Sequence, residues 1–227
     1  TNSEDVALDI ADNIGTKYVV TDIEMATGKF WAMATWANLD YSKYQGSLLF
    51  NTETQNVFMQ PYYETMISRL HVFDGSYVNP TEVVYVEYRA GSPPRAMRAA
   101  LMNDTKAAYE SAAKSTTPVV ITGKGLLSPA GELSALKHFK LVHESPNDIG
   151  NGMRYVKVFE IVPGYTVKGE GLISTQITTN TGRKFTYSQM SENGTWTLPY
   201  TGKYYKSDGT VVNVGTNTGG CATCGRG

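Results

Sequence analysis

The residue pattern of this chain changes near Lys168, and that change limits the folds it can adopt. Before this point, strand-sized apolar runs alternate with amphipathic segments of helical period, which predicts a mixed architecture. After it, β-forming runs are separated by Asn180-Thr181-Gly182 and Asn193-Gly194, and such turns between β runs indicate hairpins. The sequence therefore predicts an α+β fold, with a mainly helical, α/β central core followed by a small β-sandwich-like module.

The first third of the chain carries helix signals. Three helices are predicted, over residues 4–14, 23–36 and 60–72, with a short buried strand over residues 17–21. The first helix begins after Ser3 and ends at Gly15, and the second is capped by Asp22 and interrupted by Gly28. In the first helix an apolar face is expected to be buried and an acidic face to be solvated; these faces contain Val6, Ile10 and Ile14, and Asp5, Asp9 and Asp12.

The middle of the chain mixes strand and helix signals. Residues 82–89 are rich in β-forming side chains, and the Ala-rich residues 95–114 predict a helix after Pro93-Pro94. Further strands are predicted over residues 118–122, 138–143 and 155–162. We therefore divide the chain into a core domain and a peripheral β-domain. The core comprises residues 1–167 with a β-rich and helical insertion at about 80–135, and the β-domain comprises residues 168–227 with a Gly-rich tail.

Charge and composition exclude several protein classes. The chain holds 20 Lys+Arg and 21 Asp+Glu, a net charge of −1, which argues against a general nucleic-acid binder. No apolar run approaches the roughly 20 residues needed to span a bilayer, and the polar start at Thr1 does not resemble a signal peptide. Cys221 and Cys224 are the only cysteines, so no disulfide framework is expected in the body of the chain.

Common catalytic and metal-binding motifs are absent from the sequence. There is no nucleophile elbow, P-loop or dinucleotide glycine fingerprint. His138 and His143 are five residues apart and would face opposite sides of one strand, and His71 is expected to be structural. Cys221 and Cys224 have the spacing of half a zinc site without two further ligands, so we interpret them as part of a dispensable tail. The sequence predicts no metal site in this chain.

One helical stripe suggests a functional surface. Five residues recur at spacings of 3, 4, 4 and 3: Asp22, Met25, Lys29, Met33 and Trp36. The apolar members of this stripe would ordinarily belong to the core. Lys29 lies in the middle of the stripe, and lysine is rarely buried without a partner. Two interpretations remain open at this stage: Lys29 extends outward to solvent, or it is presented at a binding site.

The same segment resembles a known family. Asp22-Ile23-Glu24-Met25-Ala26-Thr27-Gly28-Lys29-Phe30 is similar to the short motif Asp-x-x-Met-x-x-x-Lys-[Phe/Ile] of archaeal oligosaccharyltransferase catalytic subunits. Other segments resemble that family's extracytoplasmic C-terminal domain in the same order: residues 17–20, 66–76, 136–145, 156–160, 180–183 and 198–200. The resemblance thus covers nearly the whole chain.

The resemblance implies a reaction and its partners. Enzymes of this family transfer an oligosaccharide from a dolichol phosphate or diphosphate to the asparagine of an acceptor polypeptide at Asn-x-Ser/Thr. A divalent cation, Mn²⁺ or Mg²⁺, would be bound outside this chain, in the membrane part of the full-length enzyme. The chain would lie on the extracytoplasmic face of the cell membrane as a monomer, without nucleic acid, and would contain no catalytic residue.

The family's Trp-Trp-Asp-Tyr-Gly signature is absent from this sequence. In the family it lies upstream of the Asp/Lys motif, so we expect it before Thr1, and we expect the chain to fold alone but to transfer no glycan. The resemblance implies that Lys29 contributes to a pocket for the Ser/Thr hydroxyl, that Met25 contacts the threonine methyl, and that Asp22 positions Lys29. Capping of the helix alone remains an alternative role for Asp22.

Two other functions compete with the family interpretation. A non-enzymatic cell-surface β-sandwich module for binding or adhesion would suit the β-rich, Tyr-rich C-terminal half. A soluble glycosidase would need a pair of carboxylates, and no pair is singled out. The chain also contains two Asn-x-Thr sequons, at Asn103 and Asn193. Asn193 lies in a predicted hairpin turn, so we expect it to be exposed and modified in the native host.

Overall fold

Sheets carry most of the regular structure. The computed structural model describes residues 1–50, 52–124, 127–150 and 152–215. The helices in these residues are α1 (Glu4–Ile14), α2 (Ile23–Ala26), α3 (Phe30–Trp36), α4 (Gln60–Tyr63), α5 (Met66–His71) and α6 (Thr105–Lys114). The strands are β1 (Tyr18–Asp22), β2 (Gln45–Phe50), β3 (Glu53–Phe58), β4 (Val83–Arg89), β5 (Arg95–Met102), β6 (Val119–Gly123), β7 (Phe139–Glu144), β8 (Val156–Ile161), β9 (Tyr165–Lys168), β10 (Leu172–Thr178), β11 (Lys184–Met190), β12 (Thr195–Leu198), β13 (Gly202–Lys206) and β14 (Val211–Val214). The α+β class is confirmed, but a mainly helical core is not supported.

A three-stranded antiparallel sheet lies under the N-terminal helices. Its strand order is β1-β8-β7, with β8 in the centre. Phe159 and Leu141 are buried on one face and pack against Met66 and Leu70 of α5. Because β1 is a strand of this sheet, its last residue, Asp22, is held directly before α2.

A five-stranded sheet contains much of the predicted insertion. Its order is β3-β2-β5-β4-β6, and β2 runs parallel to β5 where Leu49 pairs with Arg95. Helix α6 covers one face, where Ala108 contacts Val83 and Tyr85. The division of the chain into domains stays a prediction.

The predicted β pattern after Lys168 is confirmed through Val214. Strands β11-β10-β13-β14 form one sheet, and β9 pairs with β12 beside it. Trp196, Tyr187 and Tyr204 fill the space between them and are buried. Their polar atoms are satisfied, since the indole of Trp196 donates to the Gly171 carbonyl at 3.0 Å and the hydroxyl of Tyr187 donates to the Leu136 carbonyl at 2.9 Å. The Gly-rich tail, with Cys221 and Cys224, lies outside the described residues.

Helix α1 has the predicted caps but a different buried face. Ser3 accepts from the Val6 amide and Gly15 adopts a left-handed φ of 67°, as expected for the two ends. The expected apolar face is wrong, because Ile14 on that face is 72 % exposed. The inward face instead begins with Glu4, whose carboxylate accepts hydrogen bonds from the backbone amides of Lys137 and His138. These bonds turn the Glu4 side of the helix towards the core. Small and apolar residues that follow at helical spacing then face the core: Ala7, Leu8 and Ala11.

The single helix predicted over residues 95–114 is wrong in its first half. Residues 95–102 form β5 between β2 and β4, and the helix starts only at Thr105. The Ala-rich composition favours a helix, but pairing with β4 along its length satisfies the backbone of this segment in a sheet. Asp104 then begins α6 by accepting from the Ala107 amide at 3.0 Å.

Two further differences concern short elements. The hairpin of β2 and β3 was not predicted, since its β3 strand is polar and largely exposed. The helix predicted over residues 60–72 is divided into α4 and α5, because Thr65 adopts an extended conformation and its hydroxyl accepts from the Ser68 amide at 3.3 Å. A new helix therefore begins there.

A network of ion pairs joins the three-stranded sheet to the C-terminal sheet. The ammonium of Lys157, which is 1 % exposed, donates to Asp74 Oδ1 at 2.6 Å. Arg183 donates to both carboxylate oxygens of Asp74, at 2.8 and 2.9 Å, and to Glu144 Oε2 at 2.6 Å. Arg154 also lies 3.4 Å from Glu144. Burial alone would oppose these charges, so each of them depends on its partners.

The pKa values of the network follow its geometry. Burial would raise the pKa of Glu144, but hydrogen bonds from Arg183, Thr181 and Thr179 outweigh it and lower the pKa to about 2. Burial likewise opposes the charge of Arg183, yet hydrogen bonds to Asp74 and Glu144 raise its pKa. Burial lowers the pKa of Lys157, and the charge of Asp74 opposes this effect. The hydrogen bonds of the network therefore favour the charged forms of Glu144 and Arg183.

We expect Asp74→Asn to lower the free energy of unfolding by about 3–5 kcal/mol, because it leaves Lys157 and Arg183 buried without their carboxylate. Asparagine tolerates the positive φ of 54° at this position, so the variant isolates the charge. Urea unfolding measures the change. The control is Glu82→Gln, which breaks the exposed Lys124–Glu82 pair and should cost under about 1 kcal/mol. Equal effects of the two variants would contradict a structural role for the network.

Candidate functional site

The segment from Asp22 to Lys29 connects β1 to α3 through a short helix. Asp22 caps α2, since its Oδ1 accepts the Met25 amide at 2.8 Å. The helix ends after one turn because the hydroxyl of Tyr62 donates to the Ala26 carbonyl at 2.5 Å and the hydroxyl of Thr27 donates to the Ile23 carbonyl at 2.7 Å. Both carbonyls are thereby satisfied without continuing the helix in its regular form.

The predicted stripe along a single helix is therefore wrong. Thr27 leaves the helical conformation, with φ −127° and ψ −84°, and Lys29 is the residue before α3 rather than a mid-helix residue. Asp22 caps the helix that contains Met25, while Met33 and Trp36 belong to the next helix. Trp36 is 82 % exposed rather than part of the core.

Lys29 lies at the surface beside one carboxylate. Its Nζ atom is 3.8 Å from Glu24 Oε2, and the two side chains are 63 % and 46 % exposed. A long ion pair between exposed groups contributes little to stability, so the ammonium remains able to bind another partner. The sequence does not mark Glu24 as a candidate residue. Glu24 lies in α2, five residues before Lys29, and Thr27 interrupts the helix between them.

Met25 is half-buried, and its backbone amide is the one bound by Asp22. The structure therefore joins Asp22 to Met25 by a hydrogen bond and places Lys29 next to Glu24. The carboxylate of Asp22 acts as a helix cap, which is common to both of its expected roles.

An apolar cavity of about 460 Å³ lies beside α3. Its lining includes Phe30, Met33, Leu39, Tyr44 and Ile67, and neither Met25 nor Lys29 contributes to it. The cavity adjoins the candidate segment through Phe30, which directly follows Lys29 in the chain.

The base of the candidate segment is tied to the ion-pair network. The Oγ1 atom of Thr21 lies 2.9 Å from Nδ1 of His71, and the ammonium of Lys157 donates to the His71 carbonyl at 2.6 Å. His71 is fully buried, in keeping with the structural role expected for it. The end of β1 is thus linked through His71 and Lys157 to Asp74.

The other histidines do not converge. His138 lies before β7, where its Nδ1 atom is 3.1 Å from the Val162 carbonyl, and His143 is exposed beyond a bulge in β7. In the part of the chain that the structure describes, no three His, Cys, Asp or Glu side chains group into a cation site. Within the same residues, no helix has the length and apolar character to cross a membrane.

The comparisons with known proteins agree with the resemblance seen in the motif. No family model matches the chain. The chain is 32 % identical to dolichyl-phosphooligosaccharide-protein glycotransferase 3 of Archaeoglobus fulgidus, over an alignment of 242 positions that covers 87 % of this chain and 27 % of the relative. This chain is homologous to part of the archaeal AglB oligosaccharyltransferase.

A second relative agrees with this homology, and a solved structure shares the fold. The dolichyl-monophosphooligosaccharide-protein glycotransferase AglB of Haloferax volcanii is 26 % identical, over 90 % of this chain and 25 % of its own length. The solved structure of AglB from Archaeoglobus fulgidus, in complex with an inhibitory peptide and a dolichol-phosphate, shares the fold with a TM-score of 0.52. It is 23 % identical, over 94 % of this chain and 30 % of that chain. The chain spans about a quarter of the length of the curated relatives it matches.

Homology to AglB does not favour the alternative of a non-enzymatic adhesion module. It does not test the individual roles of Asp22, Met25 and Lys29, which stay predictions.

We expect the stability of this chain to fall as the pH decreases from about 6.5 towards 4. Burial and the charge of Lys157 lower the pKa of His71 to about 4, so the unfolded chain takes up a proton in this range while the folded chain does not. The difference corresponds to a loss of about 3 kcal/mol. Urea unfolding at several pH values measures it.

The control for this pH dependence is His71→Gln, which removes the titrating ring. Glu4 acts in the opposite direction, because burial raises the pKa of its carboxyl, so the two proteins are compared at each pH. A wild type and a His71→Gln variant with parallel pH profiles would contradict the assignment.

Proposed function

We propose that this chain is the extracytoplasmic domain of an archaeal-type oligosaccharyltransferase. The full-length protein would transfer an oligosaccharide from a dolichol-linked donor to asparagine in Asn-x-Ser/Thr. The observation that carries this proposal is the 32 % identity to a dolichyl-phosphooligosaccharide-protein glycotransferase along 87 % of the chain. The domain would act as a monomer in a membrane enzyme whose other parts hold the lipid-linked donor.

The difficult chemistry would take place outside this chain. An amide nitrogen is a poor nucleophile, and a divalent cation such as Mn²⁺ or Mg²⁺ would stabilise the phosphate that leaves. Among the described residues no three His, Cys, Asp or Glu side chains group together, and the proposal places both the cation and the catalytic residues in the membrane part of the enzyme.

The proposed task of the domain is to recognise the Ser/Thr hydroxyl of the acceptor. A hydroxyl is selected strongly only by a site whose polar groups would otherwise stay unpaired. Lys29 supports this role because its ammonium is exposed and, among the described residues, is paired only through the long contact to Glu24. Met25 would supply an apolar contact for the threonine methyl, and Asp22 would hold the turn that presents Lys29 through its cap on α2.

We expect Lys29→Ala in the full-length enzyme to lower the rate of peptide glycosylation roughly ten- to a hundredfold, since a lost charge-assisted contact costs ~1.5–3 kcal/mol. The matched control is Lys124→Ala, a lysine of similar exposure paired with Glu82, which should keep the wild-type rate. Met25→Ala should instead narrow the preference for Asn-x-Thr over Asn-x-Ser peptides. Wild-type rates for Lys29→Ala would refute this site while leaving the family assignment intact.

Two substitutions distinguish a capping role of Asp22 from a direct contact with the acceptor. Asp22→Asn keeps a side chain that can cap α2, whereas Asp22→Ala removes the cap and should cost about 1 kcal/mol of stability. If Asp22 acts through the cap, Asp22→Asn keeps near wild-type glycosylation and Asp22→Ala lowers it. Loss of activity in Asp22→Asn with an unchanged unfolding curve would show that the carboxylate contacts the acceptor directly.

A further inference from the structure

The fold presents the two Asn-x-Thr sequons of this chain very differently. An acceptor asparagine and the hydroxyl two residues later must both reach the transferring enzyme, so a hydroxyl that is bound inside the acceptor's own fold is unavailable. Whether a sequon can be modified therefore depends on its backbone conformation and on its threonine hydroxyl, as well as on the exposure of its asparagine. Both asparagines are exposed.

Asn193 lies in a closed hairpin turn. Asn193 and Gly194 have φ values of 50° and 72°, and Glu192 and Thr195 exchange two backbone hydrogen bonds of 2.9 and 3.0 Å around them. The hydroxyl of Thr195 donates to the Glu192 carbonyl at 2.9 Å. Release of this sequon would break these bonds next to the buried Trp196.

Asn103 lies in an open connection between β5 and α6. Asp104 is extended, with φ −140° and ψ 105°, and Thr105 is the first residue of α6. Among the described residues, the hydroxyl of Thr105 has no hydrogen-bonding partner. Release of this sequon would disturb only the cap from Asp104 to the Ala107 amide and the first turn of the helix.

We propose that Asn103 is an N-glycosylation site of the folded protein, whereas Asn193 accepts a glycan only before its hairpin closes. The proposal rests on the proposed function, because it requires the domain to lie on the side of the membrane where transfer takes place. The donor is a phosphate-linked lipid oligosaccharide. The Nδ2 atom of Asn103 bonds to the anomeric carbon of the first sugar, the bond from that carbon to the phosphate oxygen breaks, the lipid phosphate leaves with the electron pair, and the amide loses one proton to solvent.

Glycopeptide mass spectrometry of the full-length protein, purified from its native cells, tests the proposal. We expect the occupancy of Asn103 to exceed that of Asn193 at least tenfold. Gly194→Ala keeps the Asn193 sequon but strains its hairpin, because the position has φ 72°, and it should raise the occupancy of Asn193. The matched control is Gly209→Ala, which places the same strain at φ 85° in the turn before β14 and should leave Asn193 unchanged.

Two results would overturn the proposal: equal occupancy of both sites in the wild type, or an unmodified Asn103. A second assay distinguishes this failure from failure of the proposed function. Synthetic peptides of residues 100–108 and 190–198 are incubated with the purified full-length enzyme and lipid-linked oligosaccharide. Modification of both peptides with an unmodified Asn103 in the protein refutes the inference alone, whereas no transfer to either peptide refutes the proposed function.

Discussion

The carboxylate of Asp74 is the contact on which the arrangement of this molecule depends. It accepts from Lys157 on β8 and from Arg183 directly before β11, and it lies just after α5. Arg183 continues the network to Glu144 at the end of β7. Because these charges are largely removed from water, each is stabilised only while the elements that carry its partners stay in place. The three-stranded sheet and the C-terminal sheet are therefore joined by charge pairing as well as by apolar packing.

The candidate site is built outward from this network. Lys157 holds the carbonyl of His71, and the ring of His71 contacts Thr21, one residue before Asp22. From Asp22 onward, local caps and the hydroxyl of Tyr62 end α2 early and bring Lys29 to the surface. The exposed ammonium of Lys29 thus lies above a base that is tied to the network, and the proposed recognition of the acceptor hydroxyl would depend on that base.

Much of the fold could be predicted where the signals are local. The caps of α1 at Ser3 and Gly15, and the succession of hairpins after Lys168, follow from side chains and turns that act on their own neighbours. The motif from Asp22 to Lys29 also indicated the family that the comparisons support. The prediction is wrong where the composition favours one structure and strand pairing favours another. Residues 95–102 have the composition of a helix but form a strand between two other strands.

Periodicity, turn chemistry and motifs act over a few residues, so the succession of most elements, the helix caps and the family resemblance could be inferred from the sequence. Which face of α1 is buried, where α2 ends and how the charges pair depend instead on long-range contacts. The hydroxyl that ends α2 comes from Tyr62, 36 residues beyond Ala26, and Asp74 is separated by 83 residues from Lys157 and by 109 from Arg183. No local pattern encodes such partners, since they meet only when the sheets have assembled around them.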